Sequence, residues 1–302
     1  MPLLVDRQRL KTHLEELAAT PRPAGSPELE LARQYVTREL ESSGWSVSGQ
    51  PFDVTADSGE RLHGINLVAE HRQHSVGNGP RFCLGAHLDS RPNTPGADDN
   101  ISAVATLLEI ARLLPLNWPD PSGLALELVV FDLEEDGMLG GEFHAQQCRQ
   151  QRIDLRGMVA LEMLGYCDRR PKTQALPRAL SGLYPDVADF IAIIGNQISD
   201  PLRRAFAAGM RDVPDLAVET VRMIENGNLL QASRLSDHSP FWDAGYPALM
   251  ITDTSFLRNP HYHMPTDTPD TLDLDFLHRV AEGCFLATQA IVHDGLPAIA
   301  TN

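Results

Sequence analysis

The sequence is poor in cysteine, in basic residues and in long hydrophobic segments, and each shortage excludes a class of protein. Cysteine occupies 4 of the 302 positions and forms no CxxC pair, which argues against a disulfide framework and against a thiolate zinc site. Lys and Arg number 25 against 41 Asp and Glu, a formal charge of −16, which disfavours nucleic acid and membrane surfaces as partners. No apolar run approaches the roughly 20 residues of a membrane span. Because charges begin too early for a signal peptide, we expect a cytoplasmic protein.

Apolar and polar segments alternate along the chain as an α/β protein requires. Hydrophobic residues make up 42% of the sequence, enough for an ordinary core. Leucines recur at helical spacing in residues 6–19, and Ser26 followed by Pro27 is typical of a helix start. Buried strands are predicted at short apolar runs, which are WSVSGQPFDV, INLVAE, RFCLGAHLD, LALELVVFDLEE, GMVALEML, FIAIIG and YPALMITDT. In the absence of repeats or a linker, residues 1–302 predict one domain, in which 167–235 is the hardest stretch to assign.

Five side chains that commonly bind zinc stand at or beyond the ends of predicted elements. The carboxyl ends of strands are where an open α/β sheet presents its ligand-binding loops. Two imidazoles and three carboxylates suit zinc, which accepts nitrogen and oxygen ligands in four-coordinate sites. These candidate ligands are His87, Asp99, Glu135, Glu162 and His263.

Each candidate also has an ordinary structural explanation when it is taken alone. Asp99 stands where a helix N-cap is favoured, and Glu135 lies in an acidic cluster typical of a solvated turn. Glu162 interrupts an apolar run, and a buried arginine or protonation would satisfy it as well as a metal. A loop histidine such as His263 is commonly exposed. The combination, rather than any one residue, predicts a metal site.

Two further acidic residues have spacings that fit a hydrolytic metal centre. Glu134 precedes Glu135 directly, so one glutamate can bind metal while the other takes a proton from the attacking water. Asp89 follows His87 by two residues, which places both on one face of a strand. A carboxylate in this position can orient a ligating histidine.

Together these motifs resemble the co-catalytic di-zinc aminopeptidases, peptidase family twenty-eight of clan MH. The resemblance implies a three-layer α/β/α fold with a mixed, mostly parallel central sheet of the zinc-peptidase type. It also implies two zinc ions per chain, for which cobalt or manganese can substitute, and peptide substrates. Region 167–235 matches least, and we expect it to shape the substrate pocket. The motifs that carry the resemblance are RPAGSPELELARQYVTREL, GAHLDS, PGADDN, FDLEEDG, VALEML, SDHSPFWDAGYPAL and YHMPTDTPDTLD.

The resemblance assigns a role to each motif residue. Motif alignment selects Asp99 over Asp98 and His263 over His261. The implied roles are a bridging carboxylate for Asp99, one metal site completed by His87 and Glu162, a second completed by Glu135 and His263, a general base for Glu134, and support of the ligating histidine for Asp89.

Substrate contacts are expected from two other segments. Asp237 falls in a motif that lies near the substrate pocket in this family and in its glutaminyl cyclase relatives, and His238 follows it. Tyr166 is a third candidate for substrate binding. Phe241 and Trp242 are candidates for the pocket wall, although core packing is the favoured explanation for both.

The sequence favours a metal-dependent exopeptidase, most simply an aminopeptidase, and leaves three alternatives open. The position of Glu162 is more usually Asp in such aminopeptidases, while Glu is commoner in related carboxypeptidases and deacylases. A glutaminyl cyclase would share the fold but typically uses one metal. A non-catalytic binding protein is the third alternative, although the complete ligand set and Glu134 argue against it.

Overall fold

One eight-stranded sheet organises the protein. The computed structural model describes residues 4–55, 59, 61–71, 79–118 and 124–297. The strands are β1 (Trp45–Thr55), β2 (Arg61–His71), β3 (Arg81–His87), β4 (Ala125–Phe131), β5 (Leu155–Glu162), β6 (Phe190–Asn196), β7 (Ala217–Met223) and β8 (Ala248–Thr252).

The strand order is β1-β2-β4-β3-β5-β8-β6-β7. The four central strands, β4, β3, β5 and β8, run parallel to one another. Strands β1 and β2 join one side as antiparallel strands, and β6 joins the other side antiparallel to β8 and parallel to β7. The sheet is therefore mixed and mostly parallel, as predicted.

Helices cover both faces of the sheet, which confirms the three-layer α/β/α arrangement. The Ser26 hydroxyl caps the second helix by accepting the Leu29 amide at 3.1 Å, and Gly44 ends that region with a φ of 90°, which glycine adopts without strain. Among the described residues, no helix is long and apolar enough to cross a bilayer. The helices are α1 (Arg7–Leu17), α2 (Pro27–Ser42), α3 (Ala103–Leu113), α4 (Leu139–Gln150), α5 (Asp200–Arg211), α6 (His238–Asp243) and α7 (Leu274–Asp294).

The two faces of the sheet differ in what they carry. Because side chains alternate along a strand, Phe82 and Leu84 of β3 enter the larger core beneath α1, α3 and α7. Cys83 enters a smaller core with residues of α4 and α6. His87 has the same parity as Cys83 and lies on that second face, as does Glu162 of β5. The candidate site therefore lies on the α4 and α6 side.

The predicted strands and helices are largely confirmed, and β7 is the element that sequence reasoning missed. It is an edge strand of the sheet, so neighbours cover it less than they cover central strands. Glu219 and Arg222 interrupt its apolar pattern, which removes the run that a buried strand would show.

A buried charge cluster joins β3, β4 and α4. One carboxylate oxygen of Glu127 pairs with Arg81 Nη1 at 2.9 Å, and the other pairs with His144 Nε2 at 3.0 Å. Burial lowers the pKa of His144, but hydrogen bonds with Cys148 and Glu127 outweigh it and raise the pKa to about 10. The imidazolium therefore stabilises the native state, because it neutralises a carboxylate that lies in the core.

Replacing His144 by Gln should lower the free energy of unfolding by about 3 kcal/mol near pH 6, and by less at higher pH. The native pKa of about 10 exceeds the unfolded value of about 6.5. The stabilisation is therefore complete below pH 6.5 and is lost as the pH rises toward 10. Urea unfolding across this range measures the difference. His63→Gln, at an exposed position, is the control, and a His144→Gln penalty independent of pH would contradict the prediction.

Candidate metal centre and catalytic site

The candidate ligands converge at the carboxyl ends of the central parallel strands. His87 is the last residue of β3 and Glu162 is the last residue of β5. Glu135 follows β4 after a short turn, and Asp99 lies in the helical turn Ala97–Ser102 that leads into α3. His263 comes from the loop between β8 and α7. Positions that are far apart in sequence meet because parallel strands end at one edge of the sheet.

His87, Asp99 and Glu162 form the first cluster. His87 Nε2 lies 3.2 Å from Asp99 Oδ1 and 3.6 Å from Glu162 Oε1. All three side chains are buried. The second oxygen of Glu162 accepts a hydrogen bond from the Ser236 hydroxyl at 2.7 Å, so the carboxylate is fixed at both ends.

Asp99, Glu135 and His263 form a second cluster that shares its aspartate with the first. His263 Nε2 lies 3.2 Å from Asp99 Oδ2 and 3.1 Å from Glu135 Oε2. Each oxygen of Asp99 therefore faces a different imidazole. A carboxylate in this position can bridge two cations.

The donor atoms fit zinc. Four ligands at about 2.0–2.2 Å from a tetrahedral zinc ion stand roughly 3.5 Å from one another, and the separations in both clusters are close to this. His87 Nε2 is buried and has no hydrogen-bond partner among the described residues, although an imidazole nitrogen in that setting needs one. A metal ion would satisfy it.

Asp89 holds the loop that carries the paired glutamates. Its carboxylate oxygens accept the backbone amides of Glu134 at 3.2 Å and Glu135 at 3.1 Å. Its carbonyl oxygen lies 3.2 Å from His87 Nδ1, and its carboxylate lies 3.6 Å from the same nitrogen. Asp89 thus contacts His87 mainly through its backbone, and its side chain positions the neighbouring strand end.

Asp98 and His261, the alternatives to Asp99 and His263 within the same motifs, do not belong to either cluster. Asp98 is turned away from the clusters and accepts Gly165 N–H at 2.9 Å and Asn259 Nδ2 at 2.6 Å. His261 lies outside both clusters, where its Nδ1 is 2.9 Å from the Thr266 hydroxyl. Within this loop His263 faces the acidic side chains.

Sequence reasoning missed several residues that support the clusters. Asp267 accepts the amides of Asp98 and Asp99 at 2.9 and 3.1 Å. Arg22 is fully buried and donates to the carbonyl groups of Leu88 and Pro95 at 3.0 and 2.7 Å, which lie in two of the ligand loops. Asp267 lies in the motif YHMPTDTPDTLD and Arg22 lies at the start of RPAGSPELELARQYVTREL. Both motifs carry the family resemblance, but the sequence assigned no chemical role to either residue.

Glu134 stands beside the clusters without belonging to either. Its Oε2 is 3.8 Å from His87 Nε2. Burial raises the pKa of the Glu134 carboxyl well above its ordinary value; His87 opposes this shift, and Glu162 and Asp237 add to it. A carboxyl with a raised pKa is suited to accept and return a proton near neutral pH.

The three residues predicted to contact substrate lie outside both clusters and do not line the adjoining cavity. His238 is fully buried, with its Nε2 at 2.9 Å from the Ser233 carbonyl and its ring centroid 4.4 Å from that of Trp242. Asp237 is buried as well. Substrate contact by these three residues therefore stays a prediction. Phe241 and Trp242 are buried in the smaller core, which agrees with the core-packing role favoured from the sequence.

A cavity of about 200 Å³ opens directly beside the two clusters. Glu134 and Glu162 line its near end, and strands β6, β7 and β8 form its floor. Segments 174–184 and 230–235 contribute to its walls. The cavity can therefore receive a group attached to whatever the clusters hold.

The profile of peptidase family M28 matches residues 66–288. The chain belongs to this family. Its members are co-catalytic zinc aminopeptidases, so the chain is a peptide hydrolase of a zinc-dependent family.

Two relatives match most of the sequence. The uncharacterized protein YfbL of Escherichia coli strain K12 is 35% identical over 269 residues, which cover 84% of this chain and 78% of the relative. Leucine aminopeptidase 1 of the fungus Metarhizium robertsii is 26% identical over 298 residues, which cover 90% and 70% respectively.

Solved structures share the fold. The aminopeptidase from Aneurinibacillus sp. strain AM-1 has a TM-score of 0.72 at 18% identity, covering 99% of this chain and 97% of that one. A glutaminyl cyclase from Porphyromonas gingivalis has a TM-score of 0.71 at 20% identity, covering 94% and 98%. At these identities the likeness establishes the fold and does not decide between the two activities.

Replacing Asp267 by Asn should lower zinc affinity about 10- to 100-fold, because the carboxylate that holds the Asp98 and Asp99 amides is lost. Competition with a chromophoric chelator measures the affinity. Asp270→Asn, at an exposed position three residues further on, should leave it unchanged. Equal affinities for the two variants would show that Asp267 has no such positioning role.

Proposed function

We propose that this protein is a metal-dependent aminopeptidase that removes N-terminal residues from peptides and uses two zinc ions. The arrangement of two ligand clusters around a shared Asp99, with Glu134 beside them at the mouth of a cavity, carries the proposal. Family membership and the leucine aminopeptidase relative support the same activity.

In this proposal, the first zinc ion is held by the cluster containing His87 and Glu162, and the second by the cluster containing Glu135 and His263. Asp99 is shared by both. When bound, such a metal pair lowers the pKa of water and withdraws electrons from the scissile carbonyl group. Cobalt or manganese would suit the same nitrogen and oxygen donors.

Glu134 acts as the general base and acid. It takes a proton from the attacking water and later gives a proton to the departing amine. Its burial supports this role, because a raised pKa makes the return of the proton favourable. Asp89 acts as a positioning residue, since it fixes the backbone of Glu134 and Glu135.

The charges around the site favour a substrate's amino end over its carboxyl end. Glu134, Glu135 and Glu162 line the near end of the cavity. Among the described lining residues, Arg91 is the one arginine or lysine, and its Nε is 2.9 Å from Glu135 Oε2. A free carboxylate would meet acidic groups there, whereas an ammonium group would be attracted.

Glutaminyl cyclase activity is the second candidate, because a cyclase shares the fold. It differs from the aminopeptidase in the number of metal ions that it requires. The presence of two complete clusters, with His87 intact in the first, favours the hydrolase, since a one-metal enzyme would need only one of them. The count of metal ions therefore separates the two activities.

Metal-free protein titrated with zinc should bind two equivalents and regain peptidase activity as the second is bound. Native mass spectrometry measures the stoichiometry, while cleavage of a free tripeptide and cyclisation of an N-terminal glutaminyl peptide are followed in parallel. One equivalent together with ammonia release from the glutaminyl peptide would support the cyclase instead.

Replacing Glu134 by Gln should lower kcat about 10²- to 10⁴-fold, because the isosteric amide cannot accept the proton. Zinc content should remain at the wild-type value, since Glu134 belongs to neither cluster. Glu142→Gln, which removes an exposed carboxylate from α4, is the matched control. Wild-type turnover in Glu134→Gln would exclude this mechanism.

A further inference from the structure

The cavity beside the candidate metal centre extends across the sheet toward its edge. Its floor is formed by side chains of β8, β6 and β7, which alternate so that every second residue faces it. Most of these floor residues are apolar: Phe190, Ala192, Ile194, Val221, Met223 and Met250. An apolar slot of this kind binds the aliphatic part of a side chain.

The strand register places an acidic residue at the far end of this slot. Glu162 pairs with Thr252, Thr252 with Ala192, and Ala192 with Glu219. These four residues therefore form one row across β5, β8, β6 and β7. Three steps of about 4.8 Å separate the Cα atoms of its two glutamates by roughly 14 Å. Because Ala192 is small, it leaves the space between them open.

Glu219 is the charged side chain that lines the cavity away from the metal clusters. The other charged or imidazole lining residues, Arg91, Asp99, Glu134, Glu135, Glu162 and His263, all belong to the clusters or contact them. In the part of the chain that the structure describes, no cation lies within ion-pairing distance of Glu219.

The surroundings of Glu219 are partly dehydrated. Its side chain is partly buried, and the nearby Tyr184 also lines the cavity. The Tyr184 hydroxyl donates to the carbonyl of Thr220, the residue after Glu219, at 3.1 Å. Burial raises the pKa of Tyr184, and the charge of Glu219 adds to this while Arg203 opposes it. A carboxylate that lacks a partner in such a setting is stabilised by any cation that reaches it.

We propose that the cavity receives an N-terminal lysine or arginine side chain and that Glu219 determines this specificity. The inference rests on the proposed aminopeptidase function and adds the class of substrate to it. The aliphatic stem of lysine or arginine packs along the apolar floor, and its charged end pairs with Glu219. Leucine would fill the near part of the slot and leave Glu219 without a partner.

The first test compares aminoacyl p-nitroanilides of Lys, Arg, Leu and Met with the zinc-loaded enzyme. The wild type should prefer Lys and Arg. Glu219→Gln should lower kcat/KM for these two about 10- to 100-fold and change it less than about 2-fold for Leu and Met. Glu219→Lys should lower kcat/KM for the Lys and Arg substrates further. Glu225→Gln removes the same charge from an exposed position outside the cavity and should change none of the four.

A second test measures binding without turnover. Lysinamide and norleucinamide have stems of equal length and differ in the terminal ammonium group. Calorimetry with zinc-loaded Glu134→Gln protein should show at least about 10-fold tighter binding of lysinamide, and adding Glu219→Gln should abolish the difference.

The outcomes separate the two proposals. Cleavage of Leu and Met substrates in preference to Lys and Arg, or an equal effect of Glu219→Gln on all four, would overturn the specificity while leaving the aminopeptidase intact. Absence of cleavage for every substrate would overturn the aminopeptidase. In that case, a lysinamide preference that depends on Glu219 would still support the cationic subsite, and equal binding of the two amides would overturn it.

Discussion

The crowding of carboxylates at one edge of the sheet is the constraint on which the rest of the structure depends. Burial raises the pKa of the carboxyl groups of Glu134 and Glu162, because charged groups so close together are costly away from water. Two histidines offset this only in part. A pair of divalent cations would remove the conflict, since Asp99 already presents one oxygen toward each imidazole. The arrangement is therefore easier to explain with metal than without it.

At two places around the site, a buried aspartate carboxylate holds the backbone by accepting hydrogen bonds from two consecutive amides. Asp89 uses both carboxylate oxygens to accept consecutive amides of the loop after β4. Asp267 does the same for the consecutive amides of Asp98 and Asp99. Each carboxylate thus fixes two successive peptide groups, which restricts the direction of the ligating side chains. Arg22 acts with the opposite polarity, because its guanidinium binds carbonyl groups of the neighbouring loops.

Short-range patterns predicted an α/β chain with candidate ligands at the ends of its strands, and the family resemblance supplied the mostly parallel sheet and the grouping of the five ligands. Apolar runs mark buried strands, and parallel strands bring their ends together. Two features depended on information that such patterns lack. Strand β7 carries charged residues at the edge of the sheet, where little apolar surface is required. The place of Glu219 opposite Ala192 follows from strand register, which is decided by pairing between segments that are distant in sequence. The supporting contacts of Asp267 and Arg22 were hidden for the same reason.

Glu162 connects the metal centre to the cavity wall, and its length explains how. One oxygen faces His87, and the other accepts the Ser236 hydroxyl. Ser236 follows directly after segment 230–235, which forms part of the wall. Because an aspartate is one methylene shorter, it would not span both contacts from the same position on β5 without movement of one partner. The glutamate therefore links the geometry of the metal cluster to the position of the wall beside the substrate. In this chain the departure from the usual aspartate is better understood as a structural link between metal and pocket than as the mark of a different reaction.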